Sequence, residues 1–339
     1  MDIATLVSNA QALVAPGKGI LAIDESTGTI AKRLASVNME NSEDNRRDYR
    51  ATLLSTPGLG EHISGAILFD ETLRQRAADG RSMVEIMQSE GILPGIKVDK
   101  GAKALAGHSD EKVTEGLDGL RERLQEYREL GAKFAKWRAV ITIADGMPSS
   151  ACIEANAHAL ARYAALCQEN DIVPIVEPEV LMDGSHDLDD CFDVTEATLR
   201  SLYAQMYEQG VVLEGSILKA SMVISGSECE ERADRDEVAQ ATVTCLLNAV
   251  PAAVAGVVFL SGGQGDVEAT EHLQAMNALG AFPWPLSFSY GRALQHAALQ
   301  AWAADPANPQ KAQKKLSHRA RMNGMAALGQ YAASHEQAH

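Results

Sequence analysis

Eight short apolar runs recur along this chain: GILAID (19–24), GAILFD (65–70), GIKVD (95–99), FAKWRAVI (134–141), IVPIVEPEV (172–180), GSILKASM (215–222), GVVFLSG (256–262) and PLSFSYG (285–291). Between them lie stretches with helical spacing of apolar residues, at 111–130, 150–170, 195–210, 236–250 and 267–279. Strands that alternate with helices must run parallel, because each crossover helix returns the chain to the same end of the sheet. Eight such units are the number that closes a barrel. A chain of 339 residues is also within the size range of one such barrel. The pattern therefore predicts one domain, a single (β/α)8 TIM barrel of the α/β class. A doubly wound open sheet is the alternative arrangement of the same alternation.

The acidic segment MDGSHDLDD (182–190) reads as a long loop after the fifth strand. After the eighth strand the spacing predicts a helix from Arg292 to about Trp302, a break at DPANPQ (305–310) and a further helix from Lys311. The barrel and its C-terminal helical segment are expected to span 1–331, followed by a flexible tail, 332–339.

Forty-six acidic residues against thirty basic ones leave a formal charge of −16, so the surface as a whole repels nucleic acid and anionic membranes. An anionic substrate then needs a local cationic pocket. The five cysteines are scattered without a CxxC pair, which argues against a disulfide framework or a thiolate metal site. The first residues, MDIATLVSNAQALVAPGKG, read as an amphipathic helix rather than a signal peptide, and no run is long enough for a membrane helix. The expected location is cytoplasmic.

Charged residues stand inside strand-like runs where core would be expected: Asp24, Lys97 and Asp99, Lys136 and Arg138, Glu177 and Glu179, Lys219. Buried charge is expensive unless paired, so one such residue reads as a strand end, whereas the set calls for a function. Side chains two apart share a strand face. Lys136 with Arg138, and Glu177 with Glu179, would therefore point together toward the barrel's C-terminal mouth, where enzymes of this architecture keep their sites.

A metal-assisted carbon–carbon lyase would need a histidine cluster, and none of the eight runs contains histidine. The electron sink expected is covalent: a lysine imine, formed by an amine in an apolar or cation-crowded setting and served by a carboxyl group that moves protons. Lys219 in SILKASM suits the first requirement and Glu177 the second. No metal and no cofactor are expected. The last two strands end in LSGGQG (260–265) and SYGR (289–292), in the positions where barrels commonly bind phosphate through backbone N–H groups and a helix N-terminus. Arg292 adds a cation with two parallel donors.

The segments GKGILAIDESTGTIAKRL (17–34), EDNRRDYR (43–50), GIKVDKG (95–101), FAKWR (134–138), PIVEPE (174–179), LEGSILK (213–219), FLSGGQ (259–264) and FSYGRALQ (288–295) resemble the class I fructose-1,6-bisphosphate aldolase family in register from about residue 17 to 331. The resemblance implies that Lys219 forms the Schiff base, that Glu177 carries protons around imine formation, and that Asp24 engages the C4 hydroxyl. Lys136 and Glu179 would support the charge network. It implies phosphate binding by Ser261, Gly262, Gly263, Ser289, Gly291 and Arg292 at one end, with Lys97, Arg138, Arg33 and Ser26 toward the other. Thr29 stands where the family more often has serine. The resemblance also implies a sugar bisphosphate substrate, a place in glycolysis and gluconeogenesis, and a homotetramer. Vertebrate members end in a longer tail with a terminal tyrosine, whereas Tyr331 is the last aromatic here. That departure bears on turnover and on the preference for bisphosphate over monophosphate.

Other signals carry less. HEQAH (335–339) matches the helical zinc motif HExxH but occupies the last five residues, where a rigid site lacks walls and a third ligand. LSGGQ also occurs in ATP-driven transporters, yet no GxxxxGK[ST] phosphate loop accompanies it. His158 reads as an ordinary helix residue, and the arginines of NRR (45–47) as a solvated helix face with salt bridges. A Schiff-base enzyme for a different sugar phosphate and an idle sugar-phosphate-binding scaffold are the competing readings.

Overall fold

The computed structural model describes residues 1–337. Eight parallel strands close a barrel: β1 (Gly19–Ile23), β2 (Ile63–Leu68), β3 (Leu93–Lys97), β4 (Phe134–Ile141), β5 (Val173–Val180), β6 (Ile217–Ala220), β7 (Gly256–Phe259) and β8 (Leu286–Tyr290). Each strand pairs with its neighbours in sequence, and β8 returns to β1 with Ile20 opposite Ser289. The α-helices, in chain order, are α1 (Ile3–Leu13), α2 (Thr27–Ala35), α3 (Glu43–Leu54), α4 (Asp70–Arg74), α5 (Met83–Ser89), α6 (Leu120–Glu129), α7 (Ser150–Glu169), α8 (Leu188–Glu208), α9 (Arg235–Ala249), α10 (Asp266–Ala278), α11 (Arg292–Ala304) and α12 (Pro309–Ala327). Among the described residues no helix is long and apolar enough to cross a membrane.

Two apolar cores hold this arrangement. The larger lies between the strands and the surrounding helices. The smaller fills the barrel's lower half: Ile20, Ala22, Ile67, Phe134, Val173, Ile175, Ile217 and Val258 meet Leu6, Ala10, Leu13 and Val14 from α1 and the residue after it. α1, capped by the Asp2 carboxylate on Thr5 N, therefore plugs the N-terminal mouth, and only the opposite mouth is left for chemistry.

Each of the eight runs contains a barrel strand, but local detail departs from the sequence reading. The helix expected over 111–130 is confined to Leu120–Glu129. Lys112–Thr114 pairs instead with Ala102–Ala104 in an antiparallel hairpin. Gly116 and Gly119 take positive φ, 133° and 66°, which a continuous helix cannot include. The loop expected over 182–190 ends at Asp187, whose side chain accepts from Asp190 N and starts α8. Asp189 and Asp190 then sit in the helix's first turn, where carboxylates are favourable. α2 to α5 fall between the first three strands, a region the apolar spacing did not resolve.

The expected tail, 332–339, is described only as far as Gln337; Ala338 and His339, including the second histidine of HEQAH, lie outside the described residues. Residues Ala333–Gln337 form a 3-10 turn. The Glu336 carboxylate accepts from Arg319 Nη1 at 2.7 Å and Nη2 at 3.0 Å and from the Tyr331 hydroxyl at 3.0 Å. Of the other weak signals, His158 is an exposed residue of α7 that meets Gln205 Oε1 at 3.0 Å. Arg47 pairs with Asp44 on the surface as expected. Arg46 does not: it is buried, with Nε and Nη2 donating to Glu71 at 2.9 and 2.5 Å.

Phe134 points into the barrel base, and a β-carbon at Gly95 would come within 2.2 Å of its ring. Gly95→Ala is expected to destabilise the protein by about 1–3 kcal/mol through overpacking, measured by urea unfolding. Gly95→Ala combined with Phe134→Leu should recover part of the loss. Full additivity of the two changes would show that the ring is not the obstacle.

Candidate active site

Side chains of one parity in each strand point to the barrel axis. On β4 these are Phe134, Lys136 and Arg138; on β5 Val173, Ile175, Glu177 and Glu179; on β6 Ile217 and Lys219. The lower members belong to the apolar plug, and the upper members line a cavity of about 1270 Å³ at the C-terminal mouth. Asp24 follows Ile20 and Ala22 in the same parity, just past β1, and Lys97 ends β3.

The charged groups pair in three sets, Lys219–Glu177–Lys136–Asp24, Arg138–Glu179 and Lys97–Asp99, all facing the same cavity. Lys219 Nζ lies 3.0 Å from Glu177 Oε1. Lys136 Nζ stands between two carboxylates, 3.1 Å from Glu177 Oε2 and 2.7 Å from Asp24 Oδ2. Arg138 pairs with Glu179, and Lys97 Nζ donates to Asp99 Oδ1 at 2.7 Å. Lys219 is 4% exposed and Glu177 3%, so these contacts act in a setting where water screens them weakly.

Burial pushes the Asp24 carboxyl up, but the neighbouring Lys136 and Lys219 charges outweigh it and hold the group well below the usual carboxylate range. At Glu177 burial likewise opposes ionisation, and Lys136, Lys219 and Arg138 overcome it. Burial alone would depress the Lys136 ammonium; Asp24 and Glu177 reverse that and raise it.

The other wall of the cavity has the features of an anion site. Ser261, Gly262 and Gly263 form a turn after β7, with φ of 53° and 96° at the two glycines. At Gly263 the φ of 96° favours glycine, and a β-carbon there would also come within 2.7 Å of Met182 Sδ. Ser289 is on the inward side of β8, and Gly291 and Arg292 open α11. Arg292 Nη2 donates to the carbonyls of Gly263 and Gln264. Ser289 is 1% exposed and its hydroxyl has no partner among the described residues. A buried hydroxyl without a partner is costly, and here it faces the cavity.

Every residue expected from the sequence at the site lines this one cavity: Asp24, Ser26, Arg33, Lys97, Lys136, Arg138, Glu177, Glu179, Lys219, Ser261, Gly262, Gly263, Ser289, Gly291 and Arg292. Ser26 caps α2 by accepting from Thr29 N, and its hydroxyl meets that of Thr29 at 3.1 Å. Arg33 was expected toward the end opposite Arg292; its Nη2 instead lies within 3.7 Å of where a β-carbon on Gly291 would stand. The sequence reading did not select Glu25, which is buried, pairs with Arg33 and lines the cavity. It follows β1 in a loop, where strand parity gives no signal. Asp99 was noted as a strand charge without a role; its carboxylate takes Lys97 Nζ, Gly101 N and, at 3.2 Å, Arg138 N. The two-residue spacing from Lys97 was the available clue.

The pattern of the family described as fructose-bisphosphate aldolase class-I matches residues 5–339. The chain belongs to the class I fructose-bisphosphate aldolase family. It is 65% identical over 332 residues to a probable fructose-bisphosphate aldolase class 1 of Xanthomonas axonopodis pv. citri, a match covering 98% of this chain and 99% of the relative. It is 53% identical to the cytosolic fructose-bisphosphate aldolase 4 of Arabidopsis thaliana, over 96% of this chain and 83% of that one. The fructose-bisphosphate aldolase of Plasmodium falciparum, solved in a ternary complex with TRAP and a small-molecule inhibitor, superimposes with a TM-score of 0.96. The two are 48% identical, and the match covers 97% of this chain and 96% of that one.

Lys136 is what keeps two carboxylates ionised side by side. Replacing it in Lys136→Met leaves Asp24 and Glu177 facing each other without a cation between them, a loss expected to cost about 3–5 kcal/mol at pH 8. In the intact protein both folded carboxyls lie below their unfolded values. Their contribution is therefore present above about pH 4 and is lost as pH falls below it. In the variant the folded values rise above the unfolded ones, so the deficit should shrink on acidification to pH 5. Urea unfolding at the two pH values checks the sign; an equal deficit at both would contradict this electrostatic account.

Proposed function

We propose that this chain cleaves fructose 1,6-bisphosphate reversibly to dihydroxyacetone phosphate and glyceraldehyde 3-phosphate through an imine on Lys219. The observation that carries the reading is the contact between Lys219 Nζ and Glu177 Oε1 at 3.0 Å, with Lys136 joining Glu177 to Asp24. Family membership supplies the substrate class, and these side chains supply the chemistry.

In the proposed sequence the Glu177 carboxylate takes a proton from Lys219, 3.0 Å away, and the neutral amine so formed attacks the C2 ketone to give a carbinolamine. Glu177 delivers the proton with which the hydroxyl leaves as water, and a protonated imine remains. Asp24, held as a carboxylate by Lys136 and Lys219, takes the proton from the C4 hydroxyl. The C3–C4 bond breaks, its electron pair moves into the imine to form an enamine, and the aldehyde product leaves. Proton return to C3 restores the imine, and water hydrolyses it to release the second product and free Lys219. Run forward the reaction serves glycolysis; reversed, it serves gluconeogenesis.

Lys136 and the Arg138–Glu179 pair fix the field around these steps. The unpartnered Ser289 hydroxyl, the Ser261–Gly263 turn and the start of α11 suit one phosphate. Arg33, beside Gly291, joins that pole, and Lys97 and Arg138 are among the cations across the cavity that suit the other.

Incubation with dihydroxyacetone phosphate and borohydride is expected to add one reduced adduct to the peptide carrying Lys219, read by mass spectrometry. Lys219→Ala should remain folded by circular dichroism and lose cleavage. An adduct elsewhere, or full activity in the folded variant, would overturn the assignment. Activity is also expected to persist in EDTA; loss on chelation with recovery on adding zinc would replace the lysine as electron sink.

A further inference from the structure

The two motifs that build the phosphate pole each end in a glutamine that the mechanism does not use: FLSGGQ in Gln264 and FSYGRALQ in Gln295. Both are almost fully buried, 3% and 1% exposed, although glutamine is ordinarily a surface residue. Neither is among the residues that line the cavity, so substrate contact does not account for their burial. A primary amide taken out of water is costly unless it is bonded, and the partners of these two are informative.

Gln264 faces away from the cavity. Its Oε1 meets Nδ1 of the buried His272, on α10, at 2.6 Å, and its Nε2 approaches Met222 Sδ at 3.5 Å. An amide oxygen only accepts, so the short contact assigns the proton to Nδ1. The backbone of Gln264 completes the phosphate turn: its N–H donates to Ser261 O at 2.9 Å and its carbonyl accepts from Arg292 at 3.2 Å. Two glycines make that turn conformationally soft, and the amide holds it from behind.

Gln295 lies about one helical turn beyond Arg292 on α11. Its Nε2 donates to Ala22 O at 2.7 Å and to Glu25 Oε1 at 2.9 Å, and its Oε1 accepts from the Tyr49 hydroxyl at 3.0 Å. The first turn of α11 is thereby fastened to the end of β1, next to Asp24. From the front, Arg292 joins the two halves through the Gly263 and Gln264 carbonyls. A guanidinium that turns its fork to a phosphate gives up such carbonyls, and the two buried amides remain as the holds.

We propose that Gln264 and Gln295 are positioning residues that keep the turn after β7 and the start of α11 in register as one phosphate pole. This rests on reading Ser261–Gly263 and Ser289–Arg292 as that pole.

The test uses the full-length enzyme with fructose 1,6-bisphosphate as substrate and inorganic phosphate as competitor. Gln264→Met and Gln295→Met keep the volume and remove the amide. Each is expected to raise KM and the phosphate inhibition constant about three- to tenfold, with kcat within about twofold. His272→Leu should behave like Gln264→Met, whereas His272→Asn, which keeps an N–H near the Nδ1 position, should restore both constants. If a methionine variant does not fold, the His272 pair and Tyr49→Phe test the same anchors from their other ends. Lower melting temperature with unchanged KM and inhibition constant in the folded enzyme would mean a merely structural role and overturn the proposal. Arg292→Ala separates the two levels. If it raises both constants while the glutamine variants do not, the positioning role alone fails. If it changes neither, the phosphate pole itself is misassigned and the proposal falls with it.

Discussion

Inside a closed barrel each strand has one inward parity, and everything placed along the axis must come from it. β5 shows what this imposes: Val173 and Ile175 pack in the lower plug, and the next two inward positions are Glu177 and Glu179. β4 runs from Phe134 to Lys136 and Arg138, and β6 from Ile217 to Lys219. The same backbone geometry that fills the base with apolar side chains therefore delivers the charges to the mouth. A one-residue slip of β5 would exchange Glu177 and Glu179 for Val176 and Pro178 and send both carboxylates into the helix layer. Stability and catalysis are thus written on the same positions, and α1 makes the division one-sided by closing the lower end.

The charges so delivered balance locally. Two ammonium groups, Lys136 and Lys219, meet two carboxylates, Asp24 and Glu177, in a chain of contacts from 2.7 to 3.1 Å. Lys136 touches both carboxylates and Lys219 only one, which distinguishes the group that anchors the network from the group placed to react. A buried network is tolerable when its members are mutually satisfied and expensive when one is removed. The site's composition is accordingly constrained as a set rather than residue by residue.

Much of this was legible in the sequence because period two is a strong signal. Lys136 and Arg138, or Glu177 and Glu179, declare a shared face through their spacing alone, and the eight apolar runs declare the closed topology. What was not legible lay where periodicity lapses. Residues 111–119 carry apolar spacing compatible with a helix, but a hairpin and two left-handed glycines take that stretch. Arg46 looks like a surface residue beside Arg47, and only the tertiary approach of Glu71 buries it. Arg33 could be assigned to the site, but its approach to Gly291 could not be read from the chain, because α2 is connected through loops whose direction the sequence does not encode. Glu25 and Gln295 are invisible for the same reason: their meaning comes from each other, across 270 residues of chain.

The barrel's last seam joins β8 to β1, and the Ser287 hydroxyl reaches the Lys18 carbonyl across 269 residues. On a ribosome adding about 5–20 residues per second, that interval lasts roughly 13–54 s. Throughout it β1 has one open edge, and the helix that plugs the base has only a partial ring to enter. An incomplete chain of this kind is a partly formed sheet whose unpaired border can join another chain, and only the arrival of β8 removes it.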